Sequence, residues 1–195
     1  MIHTILKNKK VILASKSPRR MEIFSLIGLK AIVYPANIKE TTNYTTPIKV
    51  IKDISAKKCE NVYQKMNYDD LVISADTIVY KDKKILGKPQ DEEEAIEYLK
   101  LLSHDTHFVY TGITIAYKHN YYFDYAKSKV EFIKLTDKDI YEYIQTKEPF
   151  DKAGAYGIQG YGSQFIKKIH GCYFNVMGFP ISLFYKMIKD IFNGE

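Results

Sequence analysis

The chain alternates between short apolar runs and longer segments in which apolar residues recur every three or four positions. The short runs are typical of buried strands, and the longer segments are typical of amphipathic helices. The predicted strands cover residues 11–14, 31–34, 71–80, 108–115, 121–125 and 130–133. The predicted helices cover residues 18–28, 47–63, 91–102, 136–147 and 181–192. This order permits several α/β folds and does not select among them.

Size and composition limit the classes of protein. The chain has 195 residues, of which 46% are hydrophobic and 27% are charged, so a disordered or collagen-like protein is excluded. We expect a single domain over residues 1–195, with two lobes and no separable linker. No apolar run reaches the roughly 18 residues of a membrane span, and the first residues lack the features of a secretory signal. We therefore predict a cytoplasmic globular protein without a membrane partner.

Cysteine and histidine give no metal motif. Cys59 and Cys172 are too few for a disulfide framework or a recognisable zinc site. His104 and His107 flank Asp105, but three polar residues in one turn rarely bind zinc. We predict no zinc site there.

The charge balance raises the question of a nucleic-acid partner, because the formal net charge is +6. The lysines are nevertheless spread along the whole chain, interleaved with acidic residues, and form no block of five or more. We favour a solvated lysine surface with local sites for a small anion over a stable nucleic-acid partner. Of the 29 basic residues only two are arginines, and these are the neighbours Arg19 and Arg20. Arginine binds phosphate or carboxylate through a planar fork of donors that lysine lacks.

The residues around the arginines predict a phosphate site. A short apolar run is followed by Ser15 and Ser17, and Ser17 before Pro18 is typical of a helix start. A strand, a hydroxyl-rich loop and a helix N-terminus together offer backbone N–H groups and a positive dipole to an anion. The alternative is a serine cap with surface arginines, which explains Ser17 and Pro18 but not the other residues.

The stretch Leu-Ala-Ser-Lys-Ser-Pro-Arg-Arg, residues 13–20, resembles the N-terminal signature of the Maf family of nucleoside triphosphate pyrophosphatases. Further stretches are similar to family motifs in the family's order, from residue 13 to residue 180. They include Ile-Ser-Ala-Lys-Lys-Cys (54–59), Ala-Asp-Thr (75–77), Leu-Gly-Lys-Pro (86–89), Lys-Ala-Gly-Ala-Tyr-Gly-Ile-Gln-Gly (152–160) and Asn-Val-Met-Gly-Phe-Pro (175–180). The turn at residues 103–107 departs from the pattern because it lacks a glycine, and Lys39 stands where an acid is frequent.

The predicted catalytic residues come from these motifs. Asp76 is the one carboxylate among residues 71–80, and the other nine residues suit a buried strand. A buried carboxylate needs a partner or a metal; the alternatives are an edge strand with Asp76 in water and a buried Asp76 that caps nearby backbone. The resemblance implies that Asp76 orients and deprotonates the attacking water and that Glu40 and Asp76 hold a divalent cation, Mg²⁺ or Mn²⁺. It also singles out Lys58. Spacing alone cannot choose between Lys57 and Lys58. Lys88, between a glycine and a proline, completes the set.

The resemblance implies an α/β fold of the Maf and inosine triphosphate pyrophosphatase type, with an elongated mixed sheet, flanking helices and a cleft between two lobes. It also implies hydrolysis of a nucleoside triphosphate between the α- and β-phosphates. Substrate-binding and specificity residues would be Ser15, Ser17, Arg19, Arg20, Thr77 and Gln159.

Three of these, Arg19, Thr77 and Gln159, match the subgroup that prefers dTTP and UTP over 7-methyl-GTP. Family members are associated with clearing non-standard nucleotides and with arrest of cell division. Two alternatives stay open: a non-catalytic basic binding protein acting in division arrest, and a pyrophosphatase for 7-methyl-GTP. A homodimer also stays open.

Overall fold

The computed structural model describes residues 1–193 of the chain, and all statements below refer to them. The helices are α1 (Ile2–Ile5), α2 (Pro18–Leu26), α3 (Pro47–Tyr63), α4 (Glu92–Leu102), α5 (Asp137–Gln145), α6 (Tyr173–Met177) and α7 (Ile181–Phe192). The strands are β1 (Val11–Leu13), β2 (Ile32–Val33), β3 (Leu71–Lys81), β4 (Lys84–Leu86), β5 (Thr106–Tyr117), β6 (Asn120–Phe132) and β7 (Ile166–His170). Short 3-10 turns cover Glu148–Asp151, Ala153–Ala155 and Tyr161–Phe165.

The seven strands form one mixed sheet in the order β2-β1-β3-β5-β6-β7, with β4 paired to β3. Strand β1 is parallel to both β2 and β3, whereas β4 is antiparallel to β3 and β7 is antiparallel to β6. The predicted α/β class with a mixed sheet and flanking helices is confirmed. The predicted cleft between two lobes stays a prediction.

The chain folds as two compact units. Unit 1 comprises residues 1–76, 111–126 and the segment from Gly178 onward, and unit 2 comprises residues 77–110 and 127–177. Each border except the one before Gly178 falls inside a strand, namely β3, β5 and β6. No helix within residues 1–193 has the length and the apolar character needed to cross a membrane.

Unit 1 has a core in which α3 packs on the sheet. Cys59 and Val62 of α3 contact Ile12 of β1 and Val72 of β3, and all four are almost fully buried. The bounds predicted for α3 are the observed ones, and Ile51, Ile54 and Cys59 face inward. The buried apolar residues of α2 are Ile23 and Phe24, whereas Met21 and Ile27 are only half-buried.

Unit 2 has its own core between α4, α5 and the sheet, built around Leu99, Leu102, Phe132 and Ile144. Helix α4 begins after Asp91, whose side chain accepts a hydrogen bond from the backbone N–H of Glu94. Helix α5 begins with a capping box, because the side chain of Thr136 and that of Asp139 each accept from the other's backbone N–H.

Strand β6 differs from its prediction. Two strands were expected, at residues 121–125 and 130–133, but one strand runs from Asn120 to Phe132. Ser128 interrupts the apolar pattern, yet it is buried because its hydroxyl donates to the carbonyl of Cys172. The hairpin turn before β6 is formed by Lys118 and His119, both with positive φ as a two-residue hairpin turn requires.

Candidate active site

Asp76 is a buried carboxylate in unit 1, at the middle of the apolar strand β3. Lys58, which is also buried, extends from α3 and donates one hydrogen bond to Asp76 Oδ1 at 2.9 Å. The same ammonium donates to Glu40 Oε2 at 2.8 Å. Lys58 therefore joins two carboxylates that are 36 residues apart in the sequence (76 against 40). The alternative in which Asp76 faces water from an edge strand is wrong.

The structure distinguishes Lys58 from its neighbour Lys57, which spacing alone did not. The ammonium of Lys57 lies on the exposed side of α3, where it donates to Asp53 Oδ2 at 2.6 Å and to the carbonyl of Thr41 at 3.1 Å. Lys57 thus forms a surface ion pair one turn along the same helix. Lys58 is the lysine that contacts Asp76.

Burial raises the pKa of the Asp76 carboxyl above its usual range. The neighbouring ammonium of Lys58 opposes this shift through its charge and its hydrogen bond, and the guanidinium of Arg20 opposes it more weakly. The carboxylate is therefore a stronger base than an exposed aspartate while it keeps cationic neighbours. This combination is characteristic of functional carboxylates in enzyme sites.

Arg20 is held in a fixed orientation at the start of α2. Its Nη1 donates to Ser15 Oγ at 3.1 Å, and its Nε donates to the carbonyl of Gly178 at 2.9 Å. Burial lowers the pKa of the guanidinium, and the charge of Asp76 acts in the opposite direction. Arginine stays protonated in proteins despite such shifts, so Arg20 is a preoriented cation inside unit 1.

The loop before α2 has the predicted form. Ser17 is the residue preceding the helix and Pro18 is its first residue, although the Ser17 side chain makes no capping hydrogen bond. Instead the backbone N–H of Ser17 donates to Ser15 Oγ at 3.2 Å. Ser15 thus connects the loop to the helix, because its hydroxyl accepts hydrogen bonds from both the Ser17 backbone and the Arg20 side chain. Arg19 is half-buried beside them.

A buried hydroxyl network lies under Lys58 and Asp76, and the sequence reasoning missed it. Ser55 Oγ and Thr114 Oγ1 are 2.8 Å apart, and Ser74 Oγ donates to the carbonyl of Ser55 at 2.7 Å. Ser55 precedes Lys58 by three residues on α3, and Ser74 precedes Asp76 by two on β3, so each hydroxyl shares a face with a site residue. The network fixes the position of α3 relative to β3 and β5.

The other predicted site residues, Thr77, Lys88 and Gln159, belong to unit 2. Thr77 and Gln159 are half-buried and Lys88 is exposed. The loops that carry Lys88 and Gln159 are joined, because the backbone N–H of Gly154 donates to the carbonyl of Gly87 at 2.9 Å. Gly154 has a φ of +69°, and a Cβ there would lie 2.7 Å from Val79. Only glycine fits this approach.

The residues of unit 1 fit a divalent cation of the Mg²⁺ type. Glu40 and Asp76 present carboxylate oxygens to the same ammonium, so they are close neighbours. Mg²⁺ typically binds through one or two carboxylates together with waters and substrate phosphates. Within residues 1–193 no group of three or more His, Cys, Asp or Glu is arranged to hold a metal ion. Two neighbouring carboxylates suit a cation whose other ligands are waters and substrate phosphates.

Comparison with known proteins gives close relatives over almost the whole chain. A protein of Thermoanaerobacter sp. (strain X514) named dTTP/UTP pyrophosphatase is 44% identical over 186 residues, which is 94% of this chain and 97% of the relative. Proteins of the same name from Carboxydothermus hydrogenoformans and Clostridium perfringens are each 45% identical. The first covers 93% of this chain and 98% of the relative, and the second covers 93% and 96%.

Among solved structures, the Ham1 protein of Staphylococcus aureus matches with a TM-score of 0.49 and 15% identity, over 81% of this chain and 80% of that one. The family model described as Maf-like protein matches residues 10–191. This span includes every site residue named above. The chain therefore belongs to the Maf-like protein family.

Proposed function

We propose that the protein is a nucleoside triphosphate pyrophosphatase that hydrolyses dTTP and UTP to the nucleoside monophosphate and pyrophosphate. The observation that carries the proposal is the buried Asp76 carboxylate. It accepts a hydrogen bond from Lys58, whose ammonium also binds Glu40, and the positive charge of Arg20 acts on its pKa. The names of relatives that are 44–45% identical over nearly their whole length support the same activity.

Asp76 is the proposed general base. A water molecule positioned by its carboxylate loses a proton to it while the water oxygen bonds to phosphorus and the bond to the bridging oxygen of the α–β anhydride breaks. The raised pKa of Asp76 makes it a better proton acceptor than an exposed aspartate. Lys58 keeps the carboxylate oriented through its 2.9 Å hydrogen bond.

Cationic side chains stabilise the negative charge that develops on the departing pyrophosphate. Arg20 is suited to this role because Ser15 and Gly178 already fix its guanidinium, so little reorganisation is needed. Arg19, Lys58 and Lys88 are the other proposed phosphate ligands. Ser15 and Ser17 shape the loop at the N-terminus of α2, where backbone N–H groups favour an anion.

Glu40 and Asp76 would hold a divalent cation, Mg²⁺ or Mn²⁺. Such a cation would supply Lewis-acid polarisation of a phosphate and would offset its negative charge. Glu40 is suited to bind a cation that enters and leaves with the substrate, because the Glu40 side chain is half-exposed. The two carboxylates and the two cations Lys58 and Arg20 balance in charge, so an added divalent ion makes the site attractive to a triphosphate.

Gln159, Thr77 and Arg19 are the proposed selectivity residues. A glutamine amide donates to a pyrimidine carbonyl and accepts from its N3–H, whereas a carboxylate only accepts and suits a cationic methylated purine. This chemistry favours dTTP and UTP over 7-methyl-GTP. We expect the protein to act on free nucleotides in the cytoplasm.

The proposal is tested by pyrophosphate release from dTTP and UTP with Mg²⁺ or Mn²⁺, and again after chelation. Release at many turnovers per protein molecule, abolished by the chelator, is the expected result. Nucleotide binding without release would favour the alternative of a non-catalytic binding protein. Release that survives chelation would contradict the role given to Glu40 and Asp76 in holding a metal.

A further inference from the structure

We propose that Glu148 and Tyr143 are positioning residues for base selection, which fix the backbone loop that presents Gln159. The proposal rests on the proposed function, in which the Gln159 amide contacts the pyrimidine. All of these residues belong to unit 2. The loop in question runs from Gly157 to Gly162, and it is called the amide loop below.

The carboxylate of Glu148 holds the far end of the amide loop. Its Oε2 accepts from the backbone N–H of Tyr161 at 2.9 Å, and its Oε1 accepts from the backbone N–H of Gly162 at 3.1 Å. A carboxylate that accepts from two successive backbone N–H groups forms charge-assisted hydrogen bonds, which are stronger than neutral ones. The loop is therefore tied to Glu148 just after Gln159.

Tyr143 holds the near end of the same loop. Its hydroxyl donates to Glu148 Oε1 at 3.0 Å and accepts from the backbone N–H of Gly157 at 3.3 Å. Tyr143 is buried on α5, so its ring gives the hydroxyl a rigid base. Burial raises the pKa of the Tyr143 hydroxyl, and the negative charge of Glu148 raises it further. The hydroxyl therefore stays protonated and keeps its donor.

The fit of the amide loop around these two side chains leaves no room for adjustment. Gly160 has a φ of +75°, and a Cβ at this position would overlap Glu148 Oε2. A Cβ at Gly162 would lie 2.7 Å from the Tyr143 hydroxyl and 2.7 Å from the carbonyl of Gly157. Two glycines thus allow the backbone to close onto the Glu148 and Tyr143 side chains.

Gln159 lies between the two tied points, two residues after Gly157 and two before Tyr161. A glutamine discriminates between bases only if its amide is held in one orientation, since a displacement of about 1 Å weakens a selective contact strongly. Loops are ordinarily the more mobile parts of a fold. Glu148 and Tyr143 hold the amide loop in place through hydrogen bonds, whereas Lys58 is held in place by the helix α3 that carries it.

The test compares Tyr143→Phe and Glu148→Gln with wild type, using kcat/KM for UTP and for GTP. Tyr143→Phe removes only the hydroxyl oxygen, and Glu148→Gln replaces a charged acceptor by a neutral amide. The matched control is Glu92→Gln, which removes an exposed carboxylate bonded to Lys147, the residue next to Glu148. We expect kcat/KM for UTP to fall about tenfold in the first two variants and for GTP to change less than about threefold, with no change in the control.

A second measurement follows the loop itself. Hydrogen exchange should rise about tenfold or more at the amide of Gly157 in Tyr143→Phe, and at the amides of Tyr161 and Gly162 in Glu148→Gln. Equal losses for UTP and GTP, or unchanged exchange in the amide loop, would overturn the positioning role. A wild-type protein that hydrolyses neither dTTP nor UTP would instead overturn the proposed function, and the base-selection role with it.

Discussion

One lysine is buried in each unit to nearly the same extent, and the partners of the two lysines differ. Lys58 of unit 1 and Lys81 of unit 2 have side chains that are 9% and 10% exposed. Lys81 binds Asp105 at 2.6 Å and Asp82 at 3.3 Å, and these carboxylates are 54% and 64% exposed. Lys58 binds Glu40, whose side chain is 48% exposed, and also Asp76, whose side chain is only 9% exposed.

The pKa values of Asp105 and Asp76 consequently shift in opposite directions. The hydrogen bond from Lys81 lowers the pKa of Asp105, which remains in water and is simply stabilised as an anion. Burial raises the pKa of Asp76 even though a lysine adjoins it. A buried ion pair contributes little to stability after desolvation. The comparison therefore supports the chemical role proposed for Lys58 and Asp76, a role that the solvent-exposed carboxylate of Asp105 does not share.

The largest expected effect comes from removing the charge of Asp76, with Asp105 as the point of comparison. Asp76→Asn keeps the shape and removes the charge, so turnover of UTP should fall by about 10² or more while nucleotide binding persists. Asp105→Asn is the matched control, and its turnover should stay within about threefold of wild type. Pyrophosphate release and calorimetric binding measure the two properties. Similar turnover in both variants would remove Asp76 from the role of base.

The next largest effect concerns the buried imidazole of His107 in unit 2, which is uncharged in the folded state. His107 donates to or accepts from the Tyr156 hydroxyl at 2.7 Å through Nε2, and burial lowers its pKa to about 3. Between pH 6.5 and 3 the unfolded chain binds the extra proton, so the stability of the folded state falls as pH falls.

From pH 7 to pH 5 this linkage predicts a loss of about 2 kcal/mol in the free energy of unfolding. His107→Phe removes the titrating group, so this part of the pH dependence should disappear. Urea unfolding of both proteins at the two pH values measures the difference. An equal loss in wild type and variant would show that His107 is not kept neutral.

A smaller effect tests whether the arginines act as forks or only as charges. Arg20 uses Nε and Nη1 to bond Gly178 and Ser15 simultaneously, which a lysine ammonium cannot reproduce in the same geometry. Replacing either Arg19 or Arg20 by lysine should lower kcat/KM for UTP about tenfold or more. Thermal unfolding serves as the control for stability. Wild-type kinetics in both lysine variants would contradict the need for a guanidinium.

The smallest effect tests the hydroxyl network beneath the site. Thr114→Val keeps the shape of the side chain but removes the hydroxyl that Ser55 contacts at 2.8 Å. We expect kcat to fall about fivefold with KM unchanged, because Lys58 and Asp76 lose their relative position. Thr114→Ser retains the hydroxyl and should stay within about twofold of wild type. A loss in the serine variant as large as in the valine variant would assign the effect to packing.

The sequence predicts the regular elements of this protein well and its long-range contacts poorly. Helix α3 follows from apolar spacing because one of its faces is buried, and the strand around Asp76 follows from a continuous run of residues suited to burial because both of its faces are covered. The shared faces of Ser55 with Lys58 and of Ser74 with Asp76 were also present in the spacing. The contact between Arg20 and Gly178 joins residues 158 positions apart, so no local pattern contains it.

The amide loop is a second case in which local pattern does not suffice. Glycine density around Gly157 and Gly160 indicates backbone freedom, but it does not say which side chain the backbone approaches. Glu148 precedes this loop as one more acidic residue in a polar turn, and only the folded geometry assigns its carboxylate to Tyr161 and Gly162. Packing partners of loops are set by tertiary structure rather than by periodicity.

The central claim is that Asp76 acts as the base of the proposed hydrolysis and that Gln159 contributes to selecting the nucleobase. Its most direct test is kcat/KM for dTTP, UTP, 7-methyl-GTP, ATP and GTP in wild type, Asp76→Asn and Gln159→Glu. Wild type should prefer dTTP and UTP, Asp76→Asn should lower all five by a similar factor, and Gln159→Glu should lower dTTP and UTP without lowering 7-methyl-GTP. A wild-type preference for 7-methyl-GTP, or an equal loss for all five nucleotides in Gln159→Glu, would contradict the claim.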